Sequence, residues 1–351
     1  MLKDKLTLLM PTSIDRLPCF RANLRHLEEE GFDGRLMVLD WGSKRLDEMG
    51  LWSADAPYSV DYRYYGPQMP FHERMRDGAA RADTPYVLIC PDDDFFFIET
   101  LNACVGFLEA NRDFSAAQGV IYRARVIRRR GEEKLQFAAL PEAVVECRQP
   151  APLERLHFLA RNYSHWIYCV QRKETLLERL ECGARFADNL AFAEYYDTLF
   201  TVIKGKTRLI PSIGVVRSSH DMNASVALWK SRSYDSFPFA LQGRDFSEKF
   251  AQFREELGNA LVAASGQIVD EAARQALEDA ALGVMLWALV KRRDKESDSM
   301  SAAYDGLVAN LIRPGDEGPK LMKIGKLMKE SELIYHEKPE MTEGSFDIRN
   351  D

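Results

Sequence analysis

Tyr86-Val87-Leu88-Ile89-Cys90-Pro91-Asp92-Asp93-Asp94-Phe95-Phe96-Phe97 is an apolar run that stops at three carboxylates before an aromatic run begins. A buried strand that delivers acidic groups to one edge of a sheet has this pattern. Alternation along a strand would turn Asp92 and Asp94 to one face and Asp93 to the other. Two convergent carboxylates suit a hard divalent cation such as Mg²⁺ or Mn²⁺. The same residues also suit a polar turn or a helix N-cap after a core strand, which Asp favours.

Reading outward, the preceding segments end in the same way. Leu6-Thr7-Leu8-Leu9-Met10 is a short apolar strand closing at Pro11-Thr12. Leu17, Phe20, Leu24 and Leu27 then recur at helical spacing, with Pro18 tolerated in the first turn and Gly31 as a stop. Leu36-Met37-Val38-Leu39 is a second strand, closing at Asp40-Trp41-Gly42-Ser43. Val60, Tyr62 and Tyr64 alternate as a third, Phe71 to Ala82 reads as a helix, and Leu101, Val105 and Leu108 mark another before a strand over Ala116–Tyr122. This order predicts an α/β layer structure with a largely parallel sheet flanked by helices. Ligands bind such sheets at the carboxyl ends of the strands, where Thr12, Asp40 and Asp92 to Asp94 all fall. The chain has no GxGxxG after the first strand, no GxxxxGK[ST] and no GxSxG, which argues against a dinucleotide fold, a P-loop and a nucleophile elbow.

Further along, Arg123 to Leu140 reads as a hairpin with a charged tip. Leu153–Arg161 reads as a helix, His165–Val170 as a strand and Lys173–Glu181 as a helix. A helix over Leu190–Lys204 carries Glu194 and Asp197 at i, i+3, on neighbouring positions of one face. Strands over Thr207–Ile210 and Ile213–Val216 lead to Ser218-Ser219-His220-Asp221. From Phe237 the pattern turns helical, with apolar stripes at Phe246–Leu257, Ala272–Val290 and Leu307–Ile312. After Pro314 the Lys/Glu/Gly-rich composition predicts a weakly structured tail with one short helix near Met322–Lys329. The domain reading is therefore 1–235 for the sheet domain (donor half about 1–122, acceptor half 123–235), 236–313 for a helical appendage, and 314–351 for the tail.

The 351 residues are 46% hydrophobic and 29% charged, enough for a sizeable core, and the net charge of −7 gives no basic balance for a nucleic-acid partner. Six cysteines lack CxxC spacing and read as reduced core thiols. With no long apolar segment, the expected location is the cytoplasm, with peripheral contact at the inner face of the membrane as a variant. The appendage could also pair two copies into a homodimer.

Taken together, Leu6–Thr12 with Arg16, then Val38-Leu39-Asp40-Trp41-Gly42-Ser43, then Thr84-Pro85-Tyr86-Val87 running to Asp92-Asp93-Asp94-Phe95, resemble the successive strand ends of GT-A glycosyltransferases of the family 2-like group. The last form is similar to a small bacterial branch, and the resemblance covers residues 6–220. Trp41 departs from the pattern, since an acidic residue is common there. The resemblance implies a GT-A (Rossmann-like) fold and a metal-dependent, inverting transfer of a sugar from a nucleotide-diphosphate donor, UDP-sugar by default, in bacterial surface glycan synthesis. The acceptor would be a hydroxyl on a glycan or a lipid-linked molecule. It implies that Pro11, Thr12, Arg16, Asp40, Ser43, Asp92 and Asp93 form the donor side, and that Asp94, with Asp92 and His220, holds Mn²⁺ or Mg²⁺. Glu194-Tyr195-Tyr196-Asp197 stands where this group carries an acidic base motif. Tyr195 occupies its second acidic position, which leaves Glu194 and Asp197 as alternative bases. Tyr163, His165 and Trp166 are candidates for the acceptor wall, because aromatic faces suit sugar stacking; core packing is the other reading of Trp166. Two other classes stay open: a nucleotidyltransferase, disfavoured by the lack of glycine in Pro11–Arg16, and a non-catalytic sugar-nucleotide-binding scaffold.

Overall fold

The computed structural model describes residues 1–52, 55–129, 132–139, 145–161, 164, 166–186, 190–218, 246–265 and 318–330. In chain order these form β1 (Leu6–Thr12), α1 (Leu17–Glu29), β2 (Arg35–Asp40), β3 (Ser59–Tyr64), α2 (Phe71–Arg81), β4 (Tyr86–Ile89), β5 (Asp94–Phe96), α3 (Ile98–Ala110), β6 (Phe114–Arg129) and β7 (Glu132–Ala139). They continue with α4 (Pro152–Arg161), β8 (Val170–Arg172), α5 (Lys173–Gly183), α6 (Leu190–Lys204), β9 (Lys206–Arg217), α7 (Phe246–Ser265) and α8 (Gly318–Glu330). The α/β expectation is met. One sheet runs β3-β2-β1-β4-β8-β6-β9-β5, with β7 beside β6.

The donor half shows why continuous apolar runs become central strands. Leu8, Met10, Leu36, Val38 and Leu88 face α1, where Phe20, Leu24 and Leu27 cover them. Their alternates Leu9, Met37, Leu39, Val87 and Ile89 face α2 and α5, where Met75, Ala79, Leu176 and Leu180 close the other side. Each strand is thus buried on both faces, and each large side chain so covered contributes about 1.5–3 kcal/mol.

The run β3-β2-β1-β4 is parallel throughout. The β3-β2, β2-β1, β1-β4 and β6-β9 pairs are parallel, whereas β4-β8, β8-β6, β9-β5 and β6-β7 are antiparallel. The sheet is parallel through β3-β2-β1-β4, as expected, and mixed in its second half. The strand expected over His165–Val170 is confined to Val170–Arg172, and the two strands expected around Pro211 are one, β9. β6 and β9 approach closely at Gly119 and Gly214. A Cβ on Gly119 would lie 2.5 Å from the Gly214 Cα, so side chains are excluded there.

The second half is covered by helices. Leu156 and Leu159 of α4, Tyr196, Leu199 and Phe200 of α6, and Phe253 and Leu257 of α7 enclose Trp166 and Phe186 in one core. The first helix of the expected appendage therefore packs on the sheet domain. The stripes at Ala272–Val290 and Leu307–Ile312 lie outside the described residues.

The short helix expected near Met322–Lys329 is present as α8, and the rest of the tail lies outside the described residues. α8 docks on the donor half, burying Ile324, Leu327 and Met328 against Cys19 and Ala22 of α1 and against Phe95 and Phe97 beside the acidic turn. Lys320 reaches Glu99 at 2.8 Å and Lys323 reaches Glu30 at 2.9 Å, so part of its Lys-rich face is tied to the domain. All six cysteines are free. Among the described residues no helix is long and apolar enough to cross a membrane.

Candidate active site

Strand register assembles the site. Leu9 pairs with Ile89 in β1 and β4, so Thr12 and Asp92, each three residues further on, emerge side by side. Thr12 also pairs with Asp40 across β1 and β2. Three strand-end signatures separated in sequence thus share one edge of the sheet.

Beyond Ile89 the chain does not stay extended. The Asp94 N–H donates to the Pro91 carbonyl at 3.3 Å, closing a turn, and Asp94 opens β5, antiparallel to β9. The alternation that would have put Asp92 and Asp94 together is therefore absent. Arg16 instead bridges Asp92 and Asp93. Its Nε donates to both Asp92 oxygens at 2.8 and 3.0 Å, and a terminal nitrogen lies 2.9 Å from Asp93 Oδ2. The Thr12 hydroxyl adds a bond to Asp92 at 2.7 Å. Burial lifts the Asp92 carboxyl to about 6, against the pull of Arg16 and Thr12. Burial opposes the Arg16 charge too, but Asp92 and Asp93 outweigh it and hold the guanidinium protonated.

α1 fastens the turn further. The Asn23 amide donates to the carbonyls of Pro91 and Asp94 at 3.2 and 2.8 Å, and His26 Nε2 donates to the Phe96 carbonyl at 2.7 Å. A turn held at three residues by one helix is preorganised before any ligand arrives.

Asp94 has different neighbours. Its Oδ1 accepts a long bond from the Ser218 N–H at 3.3 Å, Tyr168 hydrogen-bonds its carboxylate, and Arg217 Nε stands 3.8 Å from Oδ2. The Arg217 guanidinium lies over the Tyr168 ring, 4.7 Å from its centre. Burial and the neighbouring Asp93 raise the Asp94 carboxyl to about 7, despite Arg217. Burial and Asp94 likewise push Tyr168 well above its ordinary value, so it stays a neutral donor. Glu194 of α6 is close enough to act electrostatically on both Tyr168 and Arg217.

Asp197, one turn along α6, belongs to a separate buried cluster. Its Oδ1 is 3.5 Å from Arg179 Nε, and His72 of α2 faces the same two residues. Burial lowers the His72 pKa, with Asp197 opposing and Arg179 assisting. The i, i+3 pair expected on one acidic face is thus divided between the site and the α2-α5-α6 junction.

The rest of the expected donor side is mixed. Both Asp40 oxygens are engaged, by the Gly42 N–H at 2.8 Å, the Leu46 N–H at 3.0 Å and the Tyr62 hydroxyl at 2.6 Å, which shapes the loop after β2. Ser43 is exposed on that loop and Pro11 is half-buried in β1. Trp41, the departure from the family pattern, supports Arg74, whose guanidinium sits 5.3 Å from the ring centre. Arg74 is buried, its Nε has no hydrogen-bond partner among the described residues, and burial lowers its pKa to about 10. Such an under-compensated cation suits an anionic or carbonyl-bearing ligand.

On the acceptor side, Trp166 is fully buried in the α4-α6-α7 core. Core packing accounts for it, and no ring face is left for a sugar. Tyr163, His165 and His220 lie outside the described residues. Among the described residues no group of three or more His, Cys, Asp or Glu side chains is arranged to hold a metal. Among the described residues, the acid that could help hold a divalent cation is Asp94, a buried carboxylate beside Asp93, since Mg²⁺ commonly needs only one or two carboxylates when substrate phosphates complete the shell. Asp92, with both oxygens on Arg16, serves the turn. Sequence reasoning missed Arg74, Tyr168 and Arg217. Arg217 ends a strand as the other site residues do, but only the β5-β9 pairing places it against Asp94.

No protein-family model matches the chain, and no curated protein matches it. The chain is similar to solved structures of S. aureus TarS. Residues 1–349 of TarS align with 13% identity over 80% of this chain and 88% of that one, with a TM-score of 0.43. The same TarS fragment in complex with UDP-GlcNAc gives 14%, 80%, 88% and 0.38. A longer TarS structure gives 13% identity, 80% of this chain and a TM-score of 0.45, and the chain spans only 53% of its length. Likeness of this degree carries no weight for the chemistry, which rests on the residues above.

Proposed function

We propose that the protein is a metal-dependent, inverting glycosyltransferase that moves a sugar from a nucleotide-diphosphate donor, UDP-sugar by default, to a hydroxyl of a glycan or lipid-linked acceptor. The observation that carries this reading is the convergence of Thr12, Asp40 and the Arg16-bridged Asp92-Asp93 turn at one sheet edge, with Asp94 and Glu194 grouped around Tyr168 and Arg217. It supports a donor on the strand ends and a base beside it. The loop shaped by Asp40 and the cation Arg74 would receive the nucleoside. Asp94 would hold Mn²⁺ or Mg²⁺, which supplies charge stabilisation to a diphosphate leaving group. Glu194 would take the proton of the acceptor hydroxyl, which is a poor nucleophile until deprotonated. Tyr168, donating to Asp94, would fix that carboxylate's orientation. Work at the cytoplasmic side, in surface glycan synthesis, belongs to this same reading.

The test is a melting-temperature screen of UDP-, GDP-, CDP- and dTDP-sugars, with Mn²⁺ and with EDTA, on the wild type and Asp94→Asn. One sugar nucleotide should raise the melting temperature only with Mn²⁺. At a hundredfold excess over Kd the gain is about 2.7 kcal/mol. Asp94→Asn should lose that rise. No rise with any donor, or an undiminished rise in Asp94→Asn, would overturn the reading. Binding without transfer or hydrolysis would make the protein a scaffold, and pyrophosphate release from a nucleoside triphosphate would make it a nucleotidyltransferase.

A further inference from the structure

The acidic turn is served by two arginines in opposite circumstances. Arg16 is closed in, with its nitrogens on Asp92 and Asp93 at 2.8–3.0 Å. Arg217 is the last residue of β9, opposite Asp94 in the β5-β9 pairing. Its side chain is 28% exposed, and its nearest carboxylate contact, 3.8 Å to Asp94 Oδ2, is too long for a hydrogen bond. What orients it is the Tyr168 ring, stacked 4.7 Å from the guanidinium carbon. Stacking on an aromatic face fixes the plane of a guanidinium and leaves its N–H edge available. Tyr168 is itself bonded to Asp94, so guanidinium and carboxylate share one support. Glu194 acts on the same guanidinium and, with Tyr168 and Asp94, keeps it protonated against the cost of burial.

We propose that Arg217 grips the β-phosphate of the donor nucleotide, acting beside the divalent cation on Asp94 as a second, protein-borne positive charge on the leaving diphosphate. The inference rests on the glycosyltransferase reading above. With Mn²⁺ or Mg²⁺ held at Asp94, the guanidinium edge left open by the Tyr168 stacking would meet two phosphate oxygens, a geometry an arginine fork matches and a lysine does not. A nucleoside monophosphate has no β-phosphate, so it should be indifferent to this residue.

Calorimetric titration of the full chain with UDP, GDP, CDP, dTDP and the matching monophosphates, with Mn²⁺ and with EDTA, tests this. For the diphosphate that the wild type binds, Arg217→Met should weaken affinity at least tenfold with Mn²⁺. Monophosphate affinity should stay within about twofold. Arg217→Lys should recover part of the loss. Thermal melting of each variant checks the fold. Equal diphosphate affinity in Arg217→Met and wild type overturns the proposal. So does an equal loss for mono- and diphosphate, which would mark a damaged pocket. A wild type that binds none of the diphosphates overturns the glycosyltransferase reading and this inference with it.

Discussion

Glu194 and Asp197 stand one turn apart on α6, yet Glu194 acts on Tyr168 and Arg217 at the site while Asp197 faces Arg179 and His72 between α2, α5 and α6. Their substitutions should therefore fail differently. Glu194→Gln should lower transfer by about 10²–10⁴-fold with donor binding and melting temperature near wild type. Asp197→Asn should instead cost about 3 kcal/mol of stability, because it leaves the fully buried Arg179 without its counter-charge. Steady-state kinetics together with denaturant unfolding of both variants separates the two roles. A stable but inactive Asp197→Asn would exchange the assignments.

Arg16 is the charge that makes the acidic turn tolerable. Arg16→Met should destabilise the fold by about 3 kcal/mol by leaving Asp92 and Asp93 buried without it. Arg16→Lys should recover only part, because an ammonium cannot reproduce the fork on Asp92 while reaching Asp93. Urea midpoints compared at equal m-value measure both.

His26 should make stability sensitive to mild acid. Its ring is buried between α1 and the acidic turn with Glu29, Glu30 and Lys323 around it, and burial lowers its pKa from the ordinary 6.5. Below pH 6.5 the unfolded chain takes up a proton that the folded ring refuses, so this contribution to stability falls with pH. His26→Gln can still donate to the Phe96 carbonyl but cannot titrate. Below pH 6.5, the slope of stability against pH should be less positive in His26→Gln than in wild type. The difference between the two curves isolates His26 from Asp92 and Asp94, whose raised values act with the opposite sign. Parallel curves would remove the role.

Gly119→Ala should destabilise by about 1–3 kcal/mol, because its Cβ would meet backbone atoms of Gly214 that cannot turn aside. Thermal unfolding of Gly119→Ala against an exposed control, Gly106→Ala, reads this directly, since nothing lies within 4 Å of a Cβ at Gly106.

Leu327→Ala in α8 should cost about 2–4 kcal/mol, as for a core leucine, if the helix is an integral wall of the donor half. A change of a few tenths would make α8 a loose attachment.

The parallel half of the fold was legible in the sequence because apolar runs such as Leu6–Met10 and Tyr86–Ile89 end at polar signatures, and strand ends in an α/β sheet must fall on one edge. Register then required Thr12, Asp40 and Asp92 to meet. The division of labour among the acids was not legible. The turn after Ile89 depends on Asn23 and His26, far away in sequence, and it cancels the alternation that paired Asp92 with Asp94. Arg217 and Tyr168 depend on antiparallel contacts of short strands, for which neither residue carries a local signal. Trp166 was ambiguous because an aromatic ring suits a core and a sugar equally. The C-terminal helix was expected, but its docking was not legible, because its lysines conceal a short apolar stripe, Ile324, Leu327 and Met328, whose partners lie more than 200 residues earlier.

That last arrangement bears on biosynthesis. Phe95, on the strand that carries Asp94, and Phe97 just after it are made more than 200 residues before the residues of α8 that cover them. A nascent donor half leaves the ribosome with this aromatic surface uncovered until the C-terminal segment returns to it, and such surfaces invite chaperone binding or aggregation. Completion of the acid turn's support thus waits until α8 has been made, so a chain cut before Gly318 would lack a finished donor side even with every strand-end residue present.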